Sequence, residues 1–176
     1  LWPKELLEAL LGLIYPEVCQ LCGVQSAGPD EGFVCGGCRE DIRLIQRPFC
    51  ETCGRPFEGQ ISGAFQCTHC REGEAWFSYA RSAALARGKL LEIIHLYKYR
   101  RALWFEPVLG ALLVNQAEPE LRASGHWDWV VPVPLHPSKM REREFNQAER
   151  LGKILAKACG IPIHNRLVQR VLPTRT

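Results

Sequence analysis

Apolar and polar residues recur with different periods along the chain, and these periods predict where helices and strands form. Leucines at helical spacing predict an amphipathic helix over residues 3–14. The same spacing predicts three later helices, at residues 89–99, 105–117 and 145–158. Short apolar runs predict strands at residues 77–86 and 128–134 and short extended pieces at residues 161–163 and 167–171. Because strands alternate with helices there, the pattern predicts an α/β domain with a parallel sheet.

Residues 19–70 interrupt this pattern, because they hold too few large aliphatic side chains for a core of their own. They carry four Cys-x-x-Cys pairs instead: Cys19/Cys22, Cys35/Cys38, Cys50/Cys53 and Cys67/Cys70. Each pair points two thiolates at one place, so two pairs supply the tetrahedral sulfur shell that suits Zn2+. The eight cysteines therefore predict two structural zinc ions, which replace the missing core as a source of stability.

Other arrangements of the same cysteines are open. Iron in a rubredoxin-like site would use the same ligands, whereas the two-residue gaps are too tight for ordinary disulfides. The pairs share metals either in sequence, as two tandem zinc ribbons, or interleaved, as a cross-brace. Loops of 12 and 13 residues favour the sequential arrangement because their closure costs little entropy. We expect His69 to be a spectator and Cys159 to be a small buried apolar residue.

Charge divides the chain, although its net charge is only +3. Residues 1–80 carry 6 Lys/Arg and 11 Asp/Glu, whereas residues 81–176 carry 16 and 8. The second half is thus a candidate for binding phosphates or nucleic acid, or else has a solvated basic surface. No apolar run reaches the ~18 residues of a membrane span. Thiols held for metal beside a lone thiol suit the reducing cytoplasm, where we expect the protein.

A proline-rich segment, residues 132–147, carries candidate ligand chemistry. Three prolines stiffen the segment, cations follow, and it lies where ligands bind in a parallel sheet, beyond the carboxyl end of a strand. We interpret it as a loop with a diphosphate site, formed by Val133, Pro134, Leu135, His136, Pro137, Ser138, Lys139, Arg141 and Arg143. The alternative is a structural turn with solvated cations, in which His136 bonds the backbone.

A second candidate surface combines cations with aromatic rings. It ends the helix predicted at residues 89–99 and consists of Lys98, Tyr99, Arg100 and Arg101. Cations hold phosphates and rings stack on bases, so this cluster is a candidate site for nucleic acid. In the alternative, the neighbouring Tyr97 and Trp104 belong to the core and only the cations face water. The acidic balance of residues 1–80 argues against nucleic acid on the ribbons themselves.

The order of these features resembles the ComF family of competence and DNA-utilisation proteins, which are related to phosphoribosyltransferases. The resemblance covers essentially all 176 residues and includes the four cysteine pairs. Family patterns are matched by Lys98-Tyr99-Arg100, Val131-Pro132-Val133-Pro134-Leu135-His136-Pro137, Arg141-Glu142-Arg143 and Phe145-Asn146-Gln147. Arg101 and Glu144 depart from the family, which usually has Gly at both positions, and they change the expected loop geometry.

The resemblance implies an N-terminal amphipathic helix (1–18), a double zinc ribbon (19–74) and the N-terminal part of a type I phosphoribosyltransferase-like α/β domain (75–176). Such a domain binds phosphoribosyl diphosphate with Mg2+. This sequence stops before the family's phosphoribosyl-diphosphate motif. We therefore expect a truncated chain that is inactive as a transferase, with Mg2+ and phosphoribosyl diphosphate bound only by the full-length protein.

Three functions follow as hypotheses. The first, which the resemblance favours, is handling of incoming DNA in natural competence or DNA utilisation. Its expected partners are single-stranded DNA and DNA-uptake proteins such as a competence helicase. The second is a phosphoribosyltransferase acting on phosphoribosyl diphosphate and an unknown acceptor, for which no catalytic residue can be named. The third is a zinc-stabilised scaffold without a ligand.

Overall fold

The computed structural model describes residues 17–61, 63–123 and 125–173, so the helix predicted at residues 3–14 lies outside the described residues. The described residues form the α-helices α1 (Gly36–Glu40), α2 (Thr68–Glu72), α3 (Gly88–Tyr99), α4 (Glu106–Ala123), α5 (Pro137–Arg143) and α6 (Gln147–Cys159). Single 3-10 turns form at Pro29–Glu31 and Leu103–Phe105. None of these helices has both the length and the apolar character that crossing a bilayer requires.

The three later helices predicted from periodicity are confirmed as α3, α4 and α6, with shifted ends. Helix α6 has clear end signals, because the Asn146 side chain accepts from the Ala148 N–H (3.0 Å) and Gly160 ends it with a φ of 68°. Helix α5 was not predicted, since its segment was interpreted as a loop. Pro137 occupies the first position of α5, where a missing N–H costs nothing, so the proline starts a helix there.

The predicted parallel sheet is not shown by the described residues, whose β-structure consists of isolated bridges. Val130 and Ile163 form a parallel bridge, in which the Val130 N–H donates to the Pro162 carbonyl at 2.8 Å and the His164 N–H donates to the Val130 carbonyl at 2.9 Å. Pro132 and Pro134 follow and have no N–H to extend the ladder. In residues 77–86 the β-structure is likewise one antiparallel bridge, to Leu44.

One compact unit contains the first ribbon, and its described part consists of residues 17–42 and 87–109. Its fully buried side chains include Val34 from the ribbon, Ile93 and Tyr97 from α3, and Phe105. The Tyr97 hydroxyl donates to Glu106 Oε1 at 2.9 Å, which satisfies the one polar group of this ring.

The second compact unit contains the second ribbon, and its described part consists of residues 43–61, 63–86, 110–123 and 125–173. Helix α6 lies close to α4, because a Cβ at Gly110 would be only 3.0 Å from the Ile154 side chain. Each compact unit thus combines one ribbon with a different later part of the chain. The domain limits 1–18, 19–74 and 75–176 stay predictions.

Candidate metal centres

The first cluster brings Cys19, Cys22, Cys35 and Cys38 together, with their Sγ atoms all within 4.8 Å of one another. Cys19 and Cys22 lie on a tight turn closed by the Gly23 N–H, which donates to the Cys19 carbonyl at 2.8 Å. Cys35 is the N-cap of α1, so Cys38 follows within one helical turn. The Sγ atoms of Cys22 and Cys35 are 3.8 Å apart. Zn–S bonds of about 2.3 Å in a tetrahedron require about this separation.

The second cluster has the same construction from Cys50, Cys53, Cys67 and Cys70, again with all Sγ atoms within 4.8 Å. The Gly54 N–H closes its turn by donating to the Cys50 carbonyl at 2.8 Å, and Cys67 is the N-cap of α2. The Sγ atoms of Cys53 and Cys67 are 3.8 Å apart. The cysteines are therefore grouped sequentially, as short connecting loops favour.

The two four-cysteine clusters fit two structural zinc ions by ligand number, ligand type and spacing. Neither cluster includes His69 or Cys159. Cys159 lies half-buried in α6, where burial raises the pKa of its thiol and keeps it neutral.

In each cluster the first cysteine has a lowered pKa, which favours its negatively charged thiolate form. Burial raises the pKa of Cys19 and of Cys50, but hydrogen bonds from neighbouring backbone N–H groups outweigh burial and lower each pKa to about 6. At the other end, burial and the neighbouring thiols raise the pKa of Cys38 and of Cys70 to about 12. A divalent cation supplies the positive charge that deprotonates such a thiol, so metal binding releases protons.

The two ribbons repeat a sequence pattern that goes beyond the cysteines. Residues 19–23 and 50–54 both have Cys-x-x-Cys-Gly, and residues 33–40 and 65–72 both have Phe-x-Cys-x-x-Cys-Arg-Glu. In both ribbons the phenylalanine carbonyl accepts from the residue after the first cysteine: Gln20 N–H to Phe33, and Glu51 N–H to Phe65, each at 2.8 Å. This repeat is a sequence signal for the sequential pairing, because each copy contains one full set of four cysteines.

The residues predicted to bind a diphosphate lie at and before α5. His136 caps the helix, since its Nδ1 accepts from the Ser138 N–H at 3.3 Å and lies 2.7 Å from Ser138 Oγ. Lys139 Nζ forms an ion pair with Glu142 (2.8 Å), a hydrogen bond that lowers the pKa of that carboxyl. Arg143 donates to Gln147 Oε1 at 3.2 Å. Lys139 and Arg143 are therefore already bonded to protein acceptors. The diphosphate site stays a prediction.

The two departures from the ComF pattern both fall on left-handed backbone. The φ of Arg101 is 55° and that of Glu144 is 65°. Glu144 ends α5, and its N–H donates to the Met140 carbonyl at 2.7 Å. A side chain costs about 1–2 kcal/mol in this conformation, whereas glycine adopts it freely. The geometry thus accounts for the glycine that the family usually has at these positions.

The predicted nucleic-acid surface lies at the end of α3. Arg100 and Arg101 are exposed and Tyr99 is 54% exposed, whereas Lys98 is half-buried. The alternative interpretation is right for Tyr97, which belongs to the core, but wrong for Trp104, which is 43% exposed. Nucleic-acid binding by this surface stays a prediction.

Comparison with known proteins agrees with this construction. Residues 10–72 match the family described as "Double zinc ribbon domain". The chain is similar to Competence protein F of Haemophilus influenzae (26% identical, covering 81% of this chain and 61% of the relative) and Competence protein ComFC of Bacillus subtilis (26%, covering 90% and 68%). It is also similar to DNA utilization protein YhgH of Salmonella typhimurium (27%, covering 93% and 71%).

The resemblance to competence and DNA-utilisation proteins is therefore confirmed over most of the chain. The chain spans 61% of the length of the Haemophilus relative, less than two thirds. No solved structure matches the chain.

Proposed function

We propose that this chain takes part in handling incoming DNA in the cytoplasm, in natural competence or DNA utilisation. The proposal rests on one observation: between 81% and 93% of the chain aligns with relatives whose names state competence or DNA utilization. In a strain lacking the corresponding gene, the wild-type chain within its full-length protein should restore transformation or growth on DNA. Failure of the wild type to restore either would contradict the proposal.

The proposed DNA contact is the surface at the end of α3, and its substrate is single-stranded DNA. Residues 87–101 contain five Lys/Arg and a single Glu. Tyr99 and Trp104 present rings at 54% and 43% exposure beside these cations. Cations along a strand of phosphates, with rings for the bases, are the usual means of holding single strands. DNA-uptake proteins such as a competence helicase are the proposed partners that deliver this strand.

A salt titration tests the DNA contact. Zinc-loaded protein is titrated with a labelled thymidine oligonucleotide at several salt concentrations. Arg100→Ala/Arg101→Ala should reduce the slope of log affinity against log salt by about 1.4, because two phosphate contacts on a single strand are lost. Lys157→Ala/Arg166→Ala removes two exposed cations elsewhere and should leave the slope unchanged. An equal effect of both variants would show only nonspecific attraction.

We further propose that residues from 75 onward form the beginning of a phosphoribosyltransferase-like parallel-sheet domain. The parallel bridge of Val130 to Ile163, with α6 between them in sequence, is the start of a strand–helix–strand unit. Helix α6 packs against the bridge at Gly152, where a Cβ would be in ordinary van der Waals contact, 3.5 Å from Ile163 and 3.6 Å from Val130. The N–H groups of Val130 and His164 should resist hydrogen exchange, and rapid exchange of both would contradict the proposal.

The alternative function, phosphoribosyl transfer to an unknown acceptor, is favoured by the position of the family's Pro-Leu-His-Pro pattern at a capped helix start. Calorimetry with phosphoribosyl diphosphate and Mg2+ tests its first step. Arg141→Ala removes an exposed cation and should weaken any binding, whereas no heat from the full-length protein would exclude this alternative.

A further inference from the structure

A cavity of 360 Å³ opens on the second ribbon, between the segment after Cys53 and helix α2. Its walls include two aromatic rings, Phe57 and Phe65, whose centroids are 5.1 Å apart and whose planes meet at 48°. The side chains of Arg55 and Arg71 also line it. None of the described residues that line this cavity is Asp or Glu, so its walls combine apolar faces with two positively charged side chains.

Within the described part of the chain, neither arginine has the carboxylate partner that several other arginines bind. Arg47, Arg81 and Arg122 each hold a glutamate. Among the described residues, neither the Arg55 nor the Arg71 guanidinium has a hydrogen-bonding or ion-pair partner. Guanidinium groups bind carboxylates or phosphates through two parallel hydrogen bonds, so both are open to an anionic ligand.

The internal repeat shows that this positive charge is specific to the second ribbon. Arg71 follows the last cysteine of its ribbon as Arg39 does in the first. Arg39 is neutralised by Glu31, with Nη2 2.6 Å from Oε1. Glu31 stands two residues before the repeated phenylalanine, and in the second ribbon that position is Gly63. The second ribbon therefore retains the arginine without its carboxylate.

The same comparison locates the added cation and ring. The residue directly after Cys-x-x-Cys-Gly is Val24 in the first ribbon and Arg55 in the second. Two residues later the first ribbon has Ser26 and the second has Phe57, which is 41% exposed. The second ribbon thus has a charged aromatic cavity, whereas the first ribbon lacks the arginine and the phenylalanine that form it.

We propose that this cavity binds a nucleotide, with the base against Phe57 and the phosphate on Arg55 and Arg71. Its volume lies in the range of about 300–1,000 Å³ typical of small-ligand sites. Stacking on an aromatic ring is worth about 1–3 kcal/mol per base, and an acidic peptide would gain nothing comparable from the ring. A free nucleotide and one nucleotide of a single strand share this chemistry. That the cavity prefers a single strand over a free nucleotide rests on the proposed function.

Titration of the zinc-loaded full chain with a labelled thymidine oligonucleotide and with thymidine monophosphate tests the proposal. Arg55→Ala/Arg71→Ala and Phe57→Ala should each weaken binding about tenfold or more. Arg39→Ala is the matched control in the first ribbon and should leave the binding affinity unchanged. Both variants should retain two zinc ions. If the double variant loses zinc, Arg71→Gln, which alters only the charged end of one side chain, takes its place.

Tight binding of the mononucleotide would identify a free nucleotide as the ligand, and a strong preference for the oligonucleotide would identify a strand. Unchanged affinity in the zinc-loaded cavity variants would overturn the proposal. So would displacement of the oligonucleotide by poly-glutamate together with an unaffected Phe57→Ala, which would indicate an acidic-peptide surface. If Arg100→Ala/Arg101→Ala loses binding while the cavity variants keep it, the cavity proposal is overturned and the DNA-handling function is supported.

Discussion

The two zinc ribbons have the same backbone plan but are attached to their own units in different ways. In the first ribbon, Gly32 lies directly on the chain leading into α4, where its Cβ would be 2.9 Å from the Trp104 carbonyl oxygen and 3.2 Å from Val108. The neighbouring Val34 is fully buried. The first ribbon is therefore attached mainly by apolar packing, which depends on shape and on exclusion of water.

The second ribbon is attached by polar contacts: the Ala80 N–H donates to the Thr52 carbonyl at 2.6 Å, and one arginine binds several groups. Arg81, whose side chain is 15% exposed, donates from Nε to Glu120 (2.7 Å) and from Nη1 to the Glu51 carbonyl (2.8 Å). Its guanidinium also lies 4.9 Å from the Phe49 ring centroid and 4.8 Å from that of Tyr79. The metal thus shapes each ribbon locally, whereas the surrounding chain decides how firmly that ribbon is held.

Ion pairing also affects how the excess of acidic residues in residues 1–80 acts on an anionic ligand. Glu51 is held by Arg47 and Arg81, and Glu31 by Arg39. The excess of 11 acidic over 6 basic residues in residues 1–80 is consequently not a uniform repulsive surface. Local pairing leaves the cavity of the second ribbon basic.

The largest expected effect comes from the metal ligands. Cys35→Ser and Cys67→Ser should each lower the zinc content from two ions to one, because each removes one sulfur from a separate cluster. Structural zinc contributes on the order of 10 kcal/mol to its own site, so the affected ribbon should unfold. Elemental analysis measures the zinc content. Cys159→Ser is the control and should retain both ions, and loss of both ions from a single ribbon substitution would show that the clusters are not independent.

The next effect distinguishes the glycines that close the two cysteine turns. Both have a φ near +70°, 66° for Gly23 and 69° for Gly54, so alanine is strained at either. A Cβ at Gly23 meets nothing within 4 Å, whereas at Gly54 it would lie 2.6 Å from the Ala80 carbonyl oxygen. We expect Gly23→Ala to cost about 1 kcal/mol in the free energy of unfolding and Gly54→Ala about 3 kcal/mol.

Chemical denaturation of the zinc-loaded variants measures these costs. Equal losses for Gly23→Ala and Gly54→Ala would show that the backbone at residue 80 moves away readily, which would remove the proposed difference in attachment.

Two arginine substitutions compare the ion pairs of the ribbons. Arg81→Ala removes the largely buried cation that Glu51 and Glu120 share, while Arg47 still pairs with Glu51, and should cost about 2 kcal/mol. Arg39→Ala breaks a pair whose side chains are 39% and 49% exposed, and should cost less than about 1 kcal/mol. Urea denaturation at low and high salt measures both. A cost for Arg39→Ala that matches Arg81→Ala would contradict the distinction between apolar and ionic attachment.

The smallest expected effect is a gain in stability, and it is tested with one substitution in each compact unit. Arg101→Gly in the first and Glu144→Gly in the second remove a side chain from left-handed backbone, and each should raise the free energy of unfolding by about 1 kcal/mol. Thermal denaturation measures the gain. Gly125→Ala, at a φ of 90° with open space around it, should have the opposite sign. A loss of stability in either glycine variant would show that the native side chain makes contacts worth more than the strain.

Local patterns in the sequence determined the metal ligands and three helices of the described chain. Cysteine pairs two residues apart and apolar residues at a 3.6-residue period act over a few positions, so their geometry follows without knowledge of distant contacts. Helix α5 escaped prediction because Pro137 both breaks and starts helices, and only its position distinguishes the two.

The tertiary structure alone decided the rest. Arg81 meets partners 30 and 39 residues away, and the cavity of the second ribbon forms only where residues 55–57 face residues 65–71. Of the predicted extended segments, residues 77–86, 128–134 and 161–163 form single bridges and residues 167–171 form none. Ladders depend on partners far along the chain and on N–H groups that proline lacks. Local chelation and periodicity are properties of neighbouring residues, whereas burial, ion pairing and strand pairing depend on which distant segments the folded chain brings together.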